Sequence, residues 1–313
     1  MGLDGPLRYY GGKKTTAHHI IRHFPKSAGL YVEPFFGGGG VFFQVPEALY
    51  PIQVINDLNK SIVTFYRVLR ERPADLIRVC ELTPYALDEQ RTCRLAMNDP
   101  GLTSEKMSPE DELETARRVW VRHRQNFAGM QTKVVGWSRA TATTSMTNSA
   151  EAALQQLHAY ATRLRSVHLD CEDAATVVER YGKPDVFIYE DPPYHAESRI
   201  TDFGYQFEMS EDQHQKLFEA NMKASEAGAR IMVSGYGGAF YDRIYADWRR
   251  LEFERPNVAA NADEGRITKT EVLWLNYPES EEVGNRWSSE PVKGKSVQEK
   301  AILKTLKSRG RIR

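Results

Sequence analysis

A short apolar run at residues 186–189 is the strongest indication of how this chain folds. Its length and composition predict a strand buried on both faces, as in a parallel sheet. Asp191, Pro192, Pro193 and Tyr194 follow directly after Glu190. Open α/β sheets bind ligands beyond the carboxyl ends of their strands, and successive prolines leave carbonyl acceptors without a local partner. An acid, a rigid turn and an aromatic ring at this place suit an exocyclic amine held flat against the ring.

Strand and helix patterns alternate in the first and last thirds of the chain. This alternation predicts an α/β fold, with a mostly parallel sheet covered by helices on both faces. A helix ending at Phe24 and a second helical run beginning at Val41 belong to the pattern. The predicted strands are residues 30–33, 54–57, 166–169, 186–189, 229–234 and 271–277. The further helices are residues 59–70, 75–81, 111–124, 212–226 and 240–245.

Four segments follow from this pattern. Residues 1–75 and 166–278 form the two parts of the sheet domain, and strand signals are nearly absent from the helical insertion at residues 76–165. Residues 279–313 form a basic, flexible tail. A chain of 313 residues with 41% hydrophobic content can bury one large core and a smaller inserted domain.

Net charge gives no indication of a polyanionic partner, since basic and acidic residues number 42 each. Locally, residues 117–139 contain six Lys or Arg and no acid, and the tail from Arg286 contains nine against two acids. Either stretch could follow a phosphate backbone or be a solvated surface.

The composition also predicts where the protein acts. No apolar run of about 18 residues and no signal-peptide pattern is present, which predicts a cytoplasmic protein without a membrane span. The three cysteines lack CxxC spacing and a nearby histidine, so neither a disulfide nor a metal site is expected.

A glycine turn at residues 36–40 lies between a predicted strand and a predicted helix, where the backbone can approach a ligand. Gly37 and Gly39 fit a dinucleotide fingerprint, although Phe42 holds its third glycine position. Asp57 ends the next strand, 20 residues after Gly37, where a carboxylate can accept both ribose hydroxyls of an adenosyl cofactor. Ser234 lacks the preceding glycine of a nucleophile elbow, which argues against serine hydrolase chemistry.

Four motifs follow one another along the chain, with the insertion between the glycine turn and the proline motif. They are Tyr9-Tyr10-Gly11-Gly12-Lys13, Glu33-Pro34-Phe35-Phe36-Gly37-Gly38-Gly39, Ile55-Asn56-Asp57-Leu58-Asn59 and Asp191-Pro192-Pro193-Tyr194. Together these motifs resemble the Dam-type DNA adenine N6-methyltransferases of the alpha group. The similarity covers residues 7–72 and 166–277.

The resemblance implies a Rossmann-like methyltransferase sheet with an antiparallel last strand, S-adenosylmethionine as the methyl donor and adenine in double-stranded DNA as the acceptor. It assigns the cofactor to Tyr9, Lys13, Phe36, Gly37, Gly39, Asp57, Asp173 and Asp191. For the cofactor adenine, Asp170 and Glu172 remain alternatives to Asp173. A monomer is expected.

The same resemblance makes Asp191, Pro192 and Tyr194 the catalytic residues. The adenine amine is a poor nucleophile, because its lone pair is delocalised into the ring. Asp191 and the Pro192 carbonyl can each accept one N–H and offset the developing positive charge. Tyr194 can stack on a base that has left the duplex.

The insertion would be the target-recognition domain. Its candidate DNA contacts combine phosphate-binding and base-reading side chains, namely Arg122, Arg124, Asn126, Lys133 and Arg139. Residues 127–131 and 136–138 depart from the elements of GATC-reading members, so the recognition sequence is left open.

Three other functions remain as alternatives. An N4-cytosine methyltransferase would use the same amine chemistry. An oxidoreductase could use the glycine turn and Asp57 for a nicotinamide or flavin cofactor. A catalytically silent relative would retain only DNA binding.

Overall fold

A computed structural model describes residues 3–9, 12–96, 107–126, 146–195, 209–256 and 268–284. Within these residues seven strands form one sheet. They are β1 Leu30–Glu33, β2 Ile52–Asn56, β3 Val167–Asp170, β4 Val186–Glu190, β5 Arg230–Tyr236, β6 Arg249–Pro256 and β7 Thr268–Leu275. Their order across the sheet is β3-β2-β1-β4-β5-β7-β6.

The sheet is mostly parallel. Strands β1 to β5 pair in parallel, whereas β7 runs antiparallel to both β5 and β6. This arrangement confirms the predicted Rossmann-like α/β fold and its antiparallel last strand. The strand order reverses at β1 and β4, which pair from Leu30 with Val186 to Val32 with Ile188. A ligand crevice is expected at such a switch point, beyond the carboxyl ends of the two strands.

Ten helices are assigned within the described residues. They are α1 Ala17–Ile21, α2 Lys60–Glu71, α3 Pro73–Glu81, α4 Leu87–Ala96, α5 Pro109–Gln125, α6 Met146–Leu154, α7 Leu157–Leu164, α8 Ala174–Tyr181, α9 Glu211–Glu226 and α10 Ala239–Ile244. None of the helices in the described ranges is long and apolar enough to cross a membrane.

The sheet is buried on both faces. Tyr31 and Phe187 belong to one hydrophobic cluster, and their strand neighbours Val32 and Ile188 belong to a second. Alternate side chains of β1 and β4 therefore enter opposite cores, which explains why these strands read as continuous apolar runs.

Several elements differ from the sequence-based expectation, and helices α4, α6, α7 and α8 were not predicted. Instead of the helix predicted from Val41, two short 3-10 turns occur at Phe42–Gln44 and Glu47–Leu49, because Pro46 has no N–H to continue a helix. The first helix is shorter than predicted. Strand β6 was not predicted, since it is a charged edge strand that pairs only with β7.

The helices of the predicted insertion pack directly on the sheet domain. Helix α5 packs against α2, α3 and α4, and Arg67 of α2 forms an ion pair of 2.5 Å with Glu112 of α5. Beyond Pro278, the amides of Val283 and Gly284 donate to the carbonyls of Phe24 and Arg22, each at 2.8 Å. Residues 279–284 are thus packed against the start of the chain, and the division into four segments remains a prediction.

Candidate active site

The glycine turn joins the end of β1 to the 3-10 turns and is held by Asp57. Gly37 and Gly39 have φ angles of 50° and 67°, which side chains other than glycine rarely adopt. A Cβ atom on Gly39 would lie 2.6 Å from the Phe43 ring. The Gly37 N–H donates to Asp57 Oδ2 at 2.8 Å, and the Asn59 N–H donates to Oδ1 at 2.8 Å. Asp57 therefore orders the turn as well as facing the crevice.

Asp57 lies in a cavity of about 110 Å³, whose other walls include Asp173, Pro193 and Leu217. Burial raises the pKa of Asp57 to about 6, against the two backbone hydrogen bonds that lower it. The carboxyl group is thus ionised above that pH and can accept hydroxyl hydrogens from a ligand.

The structure separates the three acids proposed near the cofactor adenine. Asp173 is the N-cap of α8, accepts the Ala175 N–H at 3.0 Å and lines the cavity with Glu172. Asp170 instead accepts the Tyr181 hydroxyl at 3.0 Å. The cavity therefore agrees better with Asp173 or Glu172 than with Asp170 as the adenine-facing acid.

A second cavity of about 510 Å³ adjoins the first, and Tyr9, Phe35, Gly37 and Asp191 line both. Its walls include the predicted cofactor residues Lys13 and Phe36. Asp191 therefore stands at the boundary between the two cavities.

One oxygen of Asp191 is held by several donors. Lys13 Nζ lies 2.7 Å from Oδ1, the Ser234 hydroxyl donates to it at 3.1 Å, and the Tyr194 hydroxyl lies 3.4 Å away. Within the described part of the chain no donor contacts Oδ2. The Ser234 hydroxyl thus helps to orient the Asp191 carboxylate.

Tyr194 is more enclosed than sequence reasoning suggested. Its side chain is 3% exposed, its hydroxyl accepts a hydrogen bond from Lys13, and its ring centroid lies 4.4 Å from that of Tyr236. Pro192 is also buried. Stacking of Tyr194 on a target base remains a prediction, and it requires the ring's present neighbours to move.

Glu33 is a site residue that sequence reasoning did not select. It lines the larger cavity, is 3% exposed and accepts the Tyr31 hydroxyl at 2.8 Å. Burial raises the pKa of Glu33 to about 8, with a further increase from the negative charge of Asp191. The sequence pattern could have indicated Glu33 as well. It is the last residue of β1, and Asp57 and Asp191 directly follow the neighbouring parallel strands β2 and β4.

The predicted DNA contacts of α5 do not form an exposed surface. Arg122 and Asn126 are 6% and 1% exposed, and Asn126 accepts a hydrogen bond from Gln90. Arg124 donates to the Pro6 carbonyl and lies over the Trp120 ring. Lys133 and Arg139 lie outside the described residues. The role of all five in DNA binding remains a prediction.

The last turns of α5 instead support the segment that carries Tyr9. His123 Nδ1 donates to the Arg8 carbonyl at 2.7 Å, and its ring stacks on Tyr9 with centroids 5.2 Å apart. Burial lowers the pKa of His123 to about 3, so the ring is neutral and one nitrogen keeps a hydrogen to donate. Helix α5, which belongs to the predicted insertion, therefore contacts a residue that lines both cavities.

The sheet order, the glycine turn and the acid at the boundary of two cavities define an S-adenosylmethionine-dependent methyltransferase. Residues 9–261 match the family described as D12 class N6 adenine-specific DNA methyltransferase, and the chain belongs to this family. It transfers a methyl group from S-adenosylmethionine to adenine in DNA.

Curated relatives agree with this assignment. Type II methyltransferase M1.LlaDCHI of Lactococcus lactis is 25% identical over 280 residues, covering 86% of this chain and 94% of that protein. The DNA adenine methylase of Vibrio cholerae is 24% identical over 278 residues, covering 87% and 95%. Type II methyltransferase M.MjaIII of Methanocaldococcus jannaschii is 22% identical over 286 residues, covering 87% and 98%.

Proposed function

We propose that the chain methylates a flipped-out adenine within a specific sequence of double-stranded DNA, with Asp191, Pro192 and Tyr194 as its catalytic residues. The observation that supports this most strongly is the place of Asp191. It lines both cavities, and donors from the described residues converge on Oδ1, while none of them contacts Oδ2.

The residues of the smaller cavity suit an adenosyl group. Asp57 offers carboxylate oxygens to the ribose hydroxyls, Asp173 lies beyond it toward the adenine, and the glycine turn lets the backbone come close. We assign the methionine end to the part of the larger cavity that Tyr9, Lys13 and Phe36 line. When bound, the cofactor supplies a methyl group activated on a sulfonium.

The protein's own contribution is to orient and polarise the amine. Asp191 Oδ2 and the Pro192 carbonyl each accept one N–H of the adenine amine, which draws the nitrogen toward tetrahedral geometry. Positive charge that develops on the nitrogen then lies beside a carboxylate. Holding the nitrogen in line with the methyl–sulfur bond supplies much of the remaining rate enhancement.

We assign sequence recognition to the insertion, including Lys133, Arg139 and the neighbouring basic residues. The relatives named as type II methyltransferases suggest a role in restriction-modification, and those named DNA adenine methylase suggest a solitary enzyme. In either role the protein would act as a monomer in the cytoplasm. Sequencing of methylated DNA from cells that express the chain identifies the site.

The test of the catalytic assignment uses purified protein, labelled S-adenosylmethionine and duplex DNA of mixed sequence. Nucleoside mass analysis should find N6-methyladenine, whereas N4-methylcytosine or no product from folded, cofactor-bound protein would contradict the proposal. Asp191→Asn, which preserves the shape of the side chain, should lower the transfer rate about 10²- to 10³-fold. It should still bind DNA.

A further inference from the structure

Glu271 belongs to none of the four motifs, yet its side chain lies in the catalytic cluster. It is on β7, pairs in register with Tyr236 of β5 and is 0% exposed. Its Oε2 atom lies 3.6 Å from Lys13 Nζ and 3.4 Å from the Tyr194 hydroxyl. Burying a carboxylate costs desolvation free energy, and the nearby Lys13 ammonium offsets part of that cost.

The Lys13 ammonium lies between two carboxylates. Asp191 Oδ1 is 2.7 Å from Nζ and Glu271 Oε2 is 3.6 Å from it, while the Lys13 and Glu271 side chains are each 1% exposed. Without Glu271, Asp191 would be the one carboxylate of the described residues that remains paired with this ammonium. That would reduce the negative charge that Asp191 can offer to a second partner.

The charges of the cluster also match the needs of the reaction. Within the described residues these three groups, one ammonium and two carboxylates, carry an excess of one negative charge beside Asp191 Oδ2. Methyl transfer to a neutral amine develops positive charge at that position, and a preorganised negative environment stabilises it.

We propose that Glu271 is a positioning residue for methyl transfer. It shares the Lys13 ammonium with Asp191 and orients the Tyr194 hydroxyl, which leaves Asp191 Oδ2 and its charge available to the target amine. This inference rests on the catalytic role assigned to Asp191 above.

The experiment measures single-turnover methyl transfer together with cofactor affinity and thermal unfolding. Glu271→Gln should slow transfer about tenfold or more, because it removes a charged partner inside the site. Cofactor affinity should change less than about twofold, since Glu271 lines neither cavity. Glu271→Asp keeps the charge and should be faster than Glu271→Gln. Equal rates in these two variants, or a wild-type rate in Glu271→Gln, would overturn the inference.

A double-mutant cycle tests whether Glu271 acts through Lys13. In a Lys13→Met background the further change Glu271→Gln should not slow transfer, because there is no ammonium left to share. The same fractional slowing in both backgrounds would mean that Glu271 supports the fold alone, against the proposal.

The control is Glu282→Gln. Glu282 is also buried and ion-paired, with His23 and Arg249. Arg249 pairs with Leu275, the last residue of β7, whereas Glu271 lies in the first half of that strand. Glu282→Gln should lower the unfolding temperature while keeping the transfer rate, and a loss of rate as large as in Glu271→Gln would favour a purely structural effect.

Asp191→Asn separates the two proposals. If that variant is fully active, the catalytic assignment fails, whereas an inactive Asp191→Asn beside an active Glu271→Gln overturns only the role of Glu271.

Discussion

Three acids at the ends of parallel strands have different hydrogen-bond environments. Asp57 is held by two backbone amides and Glu33 by one hydroxyl. Asp191 is held by an ammonium and the Ser234 hydroxyl, while the Tyr194 hydroxyl lies at equal distance from Asp191 and Glu271. Two of them have raised pKa values that fall near the range in which enzymes are assayed. Each gives a prediction that can be measured by cofactor binding alone.

Cofactor affinity should weaken as the pH falls below about 6. Burial raises the pKa of Asp57 to about 6, so acidification protonates the carboxyl group and removes the acceptor for the ribose hydroxyls. Asp57→Asn should bind about tenfold more weakly at neutral pH and lose this pH dependence. Calorimetric titration across the acidic range measures both effects. An Asp57→Asn variant with wild-type affinity would contradict the assignment.

Cofactor binding near neutral pH should release a proton from Glu33. Burial raises the pKa of Glu33 to about 8, so the free protein holds this carboxyl group mostly protonated at pH 7. The cationic methionine end of the cofactor would lower that pKa and drive ionisation. Calorimetry in buffers of different ionisation enthalpy counts the proton. In Glu33→Gln the release should disappear, and its persistence would assign the proton to another group.

Among the elements, the last turns of α5 have an effect beyond their own packing. His123 should strengthen cofactor binding through its contacts with Arg8 and Tyr9. His123→Phe keeps a ring for stacking and loses the hydrogen bond, so affinity should fall by about threefold to tenfold, and His123→Ala should lose more. His158→Ala on α7, an exposed position, is the control. Unchanged affinity in His123→Ala would contradict the coupling.

The comparison of elements also explains what could be predicted from the sequence. Strands β1 and β4 were predictable because both of their faces enter hydrophobic clusters, whereas the edge strand β6 has a charged pattern without that constraint. Asp57 and Asp191 were predictable because they follow parallel strands. Glu271 was not predictable in this way, because it lies in the first half of the antiparallel strand β7. Its pairing with Tyr236 at the end of β5 brings it to the same edge of the sheet. The burial of Arg122 and Asn126 depends on packing between helices, which their charge and polarity do not reveal.

For the whole molecule, the packing of residues 279–284 decides where the basic tail can be removed. Val283 and Gly284 bond to the backbone near α1, so a deletion of residues 285–313 leaves these hydrogen bonds intact. The deleted segment has nine Lys or Arg. If it binds DNA, the slope of log affinity against log salt should flatten by about 0.9 for each phosphate that the segment neutralises. An unchanged slope, measured on nonspecific duplex DNA, would leave the tail without a role in DNA binding.

The pairing of β1 with β4 has a consequence for synthesis of the protein. Lys13 and Asp191 are 178 residues apart in the chain, and Glu271 comes later still. At translation rates of about 5 to 20 residues per second, the ribosome makes Asp191 roughly 10 to 40 s after Lys13. During that interval the glycine turn exists without the strand that completes its site. A growing chain that has not yet reached β4 therefore lacks the contact of Lys13 with Asp191, and methyl transfer as proposed here has to wait for that strand.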